Sequence, residues 1–265
     1  MMVAEKSLRL GNLKEALAEL QNQVRKEPAD PKLRVFLFQL LTVQGNWDRA
    51  LTQLNVAGEL DASTLAMVQT YREAIRCEKV RQAVFGGQEK PLILGEPGQW
   101  LALLLEALRL DAGEHFGQAT ELRQQALELA PASSGTIDGI DFEWIADADC
   151  RFGPCLEAVV NGQYCWIPFQ NIQKIVLDKP ADLRDVVWMP AQFVWANGGE
   201  SVGLIPSRYP GSESSEDAQI LMAHKTQWLE KFEGLSWGWG QRLLATNIDD
   251  YALLDIREIQ LNPSV

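Results

Sequence analysis

The feature that most restricts how this chain can fold is an echo near its N-terminus. Gly11-Asn12-Leu13-Lys14-Glu15-Ala16-Leu17 returns as Gly45-Asn46-Trp47-Asp48-Arg49-Ala50-Leu51, 34 residues later. That offset is the period of a tetratricopeptide repeat, a helix–turn–helix unit in which a small residue early in the second helix lets the two helices approach closely. Leu8, Leu13, Ala16, Leu17, Leu20 and Val24 recur at three- and four-residue spacing, the stripe of an amphipathic helix pair. Gly11-Asn12 interrupts that stripe as a turn and Pro28 closes it. A weaker third copy ends the helical half, where Ala119 precedes Pro131 by the same 12 residues that separate Ala16 from Pro28. Leu65 to Val84 keeps the helical pattern without the signature and reads as a degenerate repeat. Arg34 and Phe38 depart from the consensus, which wants a Trp and a small residue there.

Residues 86–99, rich in Gly and Pro, read as a loop between helical segments. Past Pro131 the hydrophobic period falls toward two. Leu156–Val160 and Gln163–Ile167 flank Asn161-Gly162, a hairpin signal with a two-residue turn. Phe193–Trp195 with Ser201–Ile205, and Leu243–Thr246 with Tyr251–Ile256, predict two further hairpins. Ile172–Leu177 and Val186–Met189 predict further strands, and Ala218–Phe232 predicts a short helix. The pattern predicts an α+β chain: all-α tetratricopeptide-like repeats over residues 1–131, a linker over 132–139, and a β-rich antiparallel domain with a short helix over 140–265.

Charge narrows the function classes. The 265 residues carry 24 basic and 36 acidic side chains, net −12, and the excess is concentrated in the second half. Such a surface repels phosphate backbones and anionic lipid, which disfavours nucleic-acid and membrane partners. The longest apolar runs, such as Trp100–Leu105, fall far short of the roughly 20 residues of a spanning helix. Glu5, Lys6 and Arg9 stand where a signal peptide needs its apolar stretch, so a cytoplasmic location is expected. Cys77, Cys150, Cys155 and Cys165 have neither disulfide nor zinc-ligand spacing, and no metal or cofactor is expected.

Little in the sequence suggests catalysis. Gly234-Leu-Ser236-Trp-Gly238 matches the G-x-S-x-G pattern of a serine hydrolase, but the elbow needs a strand before the Ser, a helix after it and a downstream base. Leu229–Glu233 reads as a helix end, and His115 and His224 both precede Ser236. The acidic run from Asp138 to Asp149 reads as a solvated approach to the first strand. A docking role remains. Helical repeats leave a concave groove suited to a partner helix or peptide, and the repeat register places Glu5, Leu8, Val35, Gln39 and Thr42 on that face. The opposing expectation is a groove filled by the second half. A ligand site in the β-rich half, for a small molecule or another protein, is the alternative role.

Longer motifs in the second half carry a resemblance. Ile145-Ala-Asp-Ala-Asp-Cys-Arg-Phe-Gly-Pro-Cys-Leu-Glu157, Asn161–Pro168, Pro180–Ala191, Ile205–Glu213, Gly240–Leu244 and Leu253–Ile259 together resemble the ImpE family, also called TagJ, of type VI secretion accessory proteins. The three cysteines of this half stand where that family is expected to carry other small or apolar residues. The resemblance implies a non-enzymatic accessory that binds the N-terminal helix of the small sheath subunit TssB. Such binding would couple the sheath to assembly, or to disassembly by the ClpV unfoldase, an indirect partner. The family's motif residues here are Asp182, Arg184, Asp185, Trp188, Arg208, Tyr209 and Arg242, either fixing loops through buried Arg–carboxylate pairs or forming a partner surface.

Overall fold

The echoed turns each place a polar residue just ahead of a helix. Gly11 and Gly45 take positive φ (75° and 66°), which Cβ-bearing residues rarely adopt, and so reverse the chain within a single residue. Asn12 then caps the helix that follows, its Oδ1 accepting from the Glu15 N–H at 3.3 Å. The computed structural model describes residues 3–262, the side chains of residues 3, 5 and 9 excepted. Its first half comprises α1 (Val3–Arg9), α2 (Leu13–Lys26), α3 (Pro31–Val43), α4 (Trp47–Leu60), α5 (Leu65–Phe85), α6 (Gln99–Ala112) and α7 (Phe116–Leu129). Helices α1/α2, α3/α4 and α6/α7 pack as antiparallel pairs. Ala16, Ala50 and Ala119, on the second helix of each pair, are completely buried, as the repeat pattern requires. The degenerate segment forms α5, one uninterrupted helix of 21 residues instead of a pair.

The second half is built from β2 (Gly135–Ile137), β3 (Ile140–Phe142), β4 (Ile145–Asp147), β5 (Cys155–Val160), β6 (Gln163–Pro168), β7 (Ile172–Leu177), β8 (Trp188–Trp195), β9 (Glu200–Pro206), α8 (Ala218–Leu221), β10 (Thr226–Phe232), β11 (Leu235–Gly240), β12 (Leu243–Thr246), β13 (Asp250–Ala252) and β14 (Glu258–Leu261), while β1 (Leu92–Ile93) comes from the loop between α5 and α6. Among the described residues nine strands form one sheet in the order β1-β6-β5-β9-β8-β7-β14-β2-β3, beside a β13-β12-β4 sheet and a β10-β11 hairpin.

Several expectations change. The helix expected over Ala218–Phe232 stops at Leu221, and Ala223 takes a positive φ. Thr226–Phe232 is instead a strand, because Trp228 and Leu229 pair with Gly238 and Trp237 of β11; tertiary pairing overrides a helix-like spacing of apolar residues. Leu183–Val186 is a 3-10 turn, so the strand expected from Val186 begins at Trp188 and runs unbroken to Trp195. The strand expected over Tyr251–Ile256 ends at Ala252 in another 3-10 turn. Within 132–139, residues 135–137 form a strand too short to show alternation in the sequence. In the Gly/Pro loop, Leu92 and Ile93 pair in parallel with Cys165 and Trp166.

The large sheet is buried on both faces over much of its width. One face carries Leu156, Ala158, Ile167, Ile175 and Phe193 into a core shared with Leu244 and Ile259. The other presents Trp166, Trp188 and Leu204 to a core that includes Leu37, Phe38, Tyr71 and Leu104 of the helices. Apolar packing therefore runs across the boundary between helical and β-rich halves. A row of aromatic rings marks the seam: Trp47 and Tyr71 lie 5.7 and 5.9 Å from Trp188.

Candidate docking surfaces

Asp30 and Pro31 set the position of α3. The Asp30 carboxylate accepts from the Lys32 N–H at 2.8 Å, and Pro31 occupies the first turn, where its missing N–H costs nothing. This aims Val35 and Gln39 toward a groove of about 520 Å³, with Leu8 of α1 and Phe36 on its walls. Its far side comes from the second half, at Ala181, Asp182 and Leu183. Three of the residues placed on the concave face, Leu8, Val35 and Gln39, thus line one cavity together with Asp182 from the second-half motifs. Thr42 does not join them. It is fully buried, its hydroxyl donates 2.7 Å to the Gln39 carbonyl, and the end of α3 is packed against Arg208. The side chain of Glu5 lies outside the described residues. The second half therefore walls the groove without filling it.

The 181–186 wall is a compact turn. Asp182 and Asp185 form a capping box, with the Asp185 carboxylate accepting from the Ala181 and Asp182 N–H groups at 2.8 Å each. Arg184 pairs with Asp182 and places its guanidinium 4.7 Å from the centre of the Tyr71 ring. On the other side of this turn, Arg184 lines a larger cleft of about 790 Å³, between the N-terminal part of α5 and strands β7, β8 and β9.

The remaining motif residues are interior. Arg242 is wholly buried and pairs with both Asp147 and Glu157, while its Nε donates 3.0 Å to the Pro206 carbonyl. Arg81 of α5 reaches the same Glu157, with Nε at 2.9 Å and Nη2 at 2.5 Å. The Tyr164 hydroxyl donates to Glu157 at 2.5 Å and accepts from Trp166 Nε1 at 2.8 Å. Trp188 Nε1 donates 2.8 Å to Glu78, which also pairs with Arg81. One polar chain thus joins α5 to five strands. Burial alone would raise the Glu157 carboxyl, but Arg81 and Arg242 outweigh it and hold it below the usual carboxylate range. For Asp147 burial wins over the pull of Arg242, pushing its carboxyl up to about 7.

Arg208 is held differently: its guanidinium meets backbone carbonyls of Val43 and Leu221 at 2.8 and 2.6 Å, and burial lowers its pKa to about 10. The Tyr209 hydroxyl exchanges hydrogen bonds with the Leu243 backbone at 3.0 and 3.2 Å. Beneath its ring sits Gly238, where a Cβ would stand 2.3 Å from Tyr209. Asp147 and Asp149, expected on a solvated approach, are buried: Asp149 pairs with Arg151 and accepts from the Gly238 N–H at 2.7 Å. The carboxylates are drawn inward because each meets a buried arginine. Glu157, alone within the apolar run Leu156–Val160, was the legible sign of this network.

Ser236 lies within β11 opposite Glu230, inside a two-stranded hairpin, so the strand-to-helix elbow of a serine hydrolase is not formed there. No helix among the described residues is long and apolar enough to cross a membrane.

Residues 139–260 match the ImpE protein family, and residues 7–74 match the tetratricopeptide repeat. The type VI secretion system accessory component TagJ of Pseudomonas aeruginosa is 49% identical over 263 residues, covering 99% of this chain and 92% of that protein. The crystal structure of protein VPA1032 from Vibrio parahaemolyticus, 23% identical, superposes with a TM-score of 0.89 over 99% of this chain and 98% of that one, which shows a shared fold. The ImpE match and the 49% identical relative agree: the chain belongs to the ImpE/TagJ family of type VI secretion system accessory proteins.

Proposed function

We propose that the protein is a cytoplasmic, non-catalytic adaptor that holds the N-terminal helix of the small sheath subunit TssB in the groove bounded by α1, α3 and the 181–183 turn. Holding that helix would influence sheath assembly or its ClpV-linked disassembly. The supporting observation is the convergence of Leu8, Val35 and Gln39, placed there by the repeat, with Asp182 and Leu183 of the family motif around a cavity of about 520 Å³. Leu8, Val35, Phe36 and Leu183 offer an apolar floor, while Lys32, Asp61 and Asp182 are the charged residues of its lining. An amphipathic helix docks on such a surface through apolar anchors at three- and four-residue spacing. No cofactor enters this role.

Calorimetric titration of the full chain with a peptide of the TssB N-terminal helix tests the proposal. Saturable binding is expected, and Val35→Glu should weaken it by about tenfold or more, since a carboxylate then faces the apolar side of the helix. Absence of binding to the unaltered chain, or binding indifferent to Val35→Glu in a folded variant, contradicts it.

A further inference from the structure

Strand β9 is longer than its neighbour on one side. Along β8 it is paired throughout, from Val194 opposite Glu200 to Trp188 opposite Pro206. Along β5 it is paired only where Val159 and Val160 face Leu204 and Gly203. Beyond Val160 the chain turns back at Asn161-Gly162 into β6, and α5 clamps that turn: Arg76 donates 2.8 Å to the Gly162 carbonyl. Glu200, Ser201 and Val202 therefore overhang the hairpin, with no strand beside them on the β5 side among the described residues. The overhang opens into the cleft of about 790 Å³. Val202 lines it and is 74% exposed, an aliphatic side chain on an open strand edge.

The geometry points to a second interaction surface at this overhang, taking an extended, basic segment of a partner protein as an added strand in line with β5. Backbone N–H and C=O groups facing away from β8 are spaced to pair with another extended chain, whereas a helix has already bonded its own along its length, which favours a strand over a helix here. Alternate side chains of such a segment would enter the cleft between Val202, Leu204 and Pro190 on the sheet and Met67 and Tyr71 of α5. Charge selects the partner. Arg76 pairs with Glu73 and Arg184 with Asp182, whereas the exposed Asp178 and Glu200 have no ion-pair partner among the described residues and are set against the one likewise unpaired, exposed Lys179 beside Asp178. The remaining excess of carboxylate favours Lys or Arg on the incoming strand. A second copy of this chain would instead set those same carboxylates against each other, on a molecule of net charge −12.

The test uses the full-length, isotope-labelled protein and three short peptides observed through backbone amide shifts. The probe is acetyl-Lys-Val-Thr-Val-Lys-amide; the controls are its Glu-flanked counterpart and a version N-methylated at both valines. Saturable shifts are expected at residues 200–202 and 161–162 with the basic probe. N-methylation, replacement of the flanking lysines by Glu, and Val202→Lys in the protein should each weaken binding by about tenfold or more. Val202→Lys alters an exposed side chain, so the variant's unperturbed amide spectrum elsewhere verifies its fold. Absence of shifts at these residues, equal binding of the N-methylated peptide, or equal binding of the acidic one overturns the proposal. The TssB helix peptide leaves these amides unmoved if both sites are as described; if it moves them and displaces the probe, the cleft is a helix site and the strand assignment falls.

Discussion

Arg208 Nη1 donates a 2.8 Å hydrogen bond to the carbonyl oxygen of Val43, the last residue of α3, so a motif arginine of the β-rich half caps a helix of the repeat half. The same nitrogen meets the Leu221 carbonyl at the end of α8. A buried cation at two helix C-termini satisfies carbonyls that would otherwise lack donors and interacts favourably with the dipole of α3. It also explains why Thr42 is unavailable to the groove.

Removing that cap should loosen the junction. Arg208→Met is expected to destabilise the protein by about 2–4 kcal/mol, because buried carbonyls lose a charged donor without access to water. Urea unfolding followed by tryptophan fluorescence measures it. Arg208→Lys should recover part of the loss, since an ammonium keeps the charge at the Val43 and Leu221 carbonyls but is more strongly hydrated and gives up the Nη2 contact to the Thr42 carbonyl.

The Arg242 pairings predict a sharp asymmetry between single and multiple substitutions. Arg242→Met leaves Asp147 and Glu157 buried with less compensation, at a cost of about 3–5 kcal/mol. Combining it with Asp147→Asn should restore much of that loss, because Asp147 has no other cation beside it among the ion pairs of the described residues, whereas Glu157 keeps Arg81. A double variant less stable than the single one would mean that the network's hydrogen bonds, and not its charges, dominate.

Gly238→Ala tests packing alone. Its Cβ would overlap the Tyr209 ring at 2.3 Å, and that ring is fixed by the Leu243 backbone, so it cannot swing aside. Destabilisation of about 2–4 kcal/mol is expected, and Tyr209→Ala in the same chain should relieve the clash while adding its own cavity cost.

The raised Asp147 carboxyl makes stability depend on pH with a defined sign. It titrates near 7 in the folded protein and near 3.8 when unfolded. Between those values the folded state holds the extra proton, so its contribution is greatest below about pH 4 and is lost as pH rises to about 7. The buried Glu78 and Asp111, also raised chiefly by burial, act in the same direction. Asp147→Asn should therefore flatten the decline in unfolding free energy between pH 5 and 7 by up to about 1 kcal/mol per pH unit. An unchanged slope would place the proton elsewhere.

What the sequence made legible followed local periodicity. The 34-residue echo located α1–α4, and Asn161-Gly162 located the β5–β6 turn with its register, because each is written within a few neighbouring residues. What it hid depends on distant pairing. Trp228, Leu229 and Phe232 look helical until Gly238 and Trp237 arrive beside them, and Leu92-Ile93 is a strand only because Cys165-Trp166 lies open to it. The groove was half legible for the same reason: Leu8, Val35 and Gln39 follow from the repeat, but its far wall at Ala181–Leu183 is set by tertiary packing. The overhang at Glu200–Val202 had no sequence signal, since it depends on where β5 stops.

Photo-crosslinking locates the sheath helix most directly. A benzophenone amino acid replaces Phe36, on the groove wall, or Val202, in the cleft, within the full-length chain, and irradiation with the TssB N-terminal helix peptide is followed by mass spectrometry. An adduct from position 36 that unlabelled peptide suppresses, with none from position 202, is the expected result. An adduct from position 202 alone, or none from either, contradicts helix docking in the repeat groove.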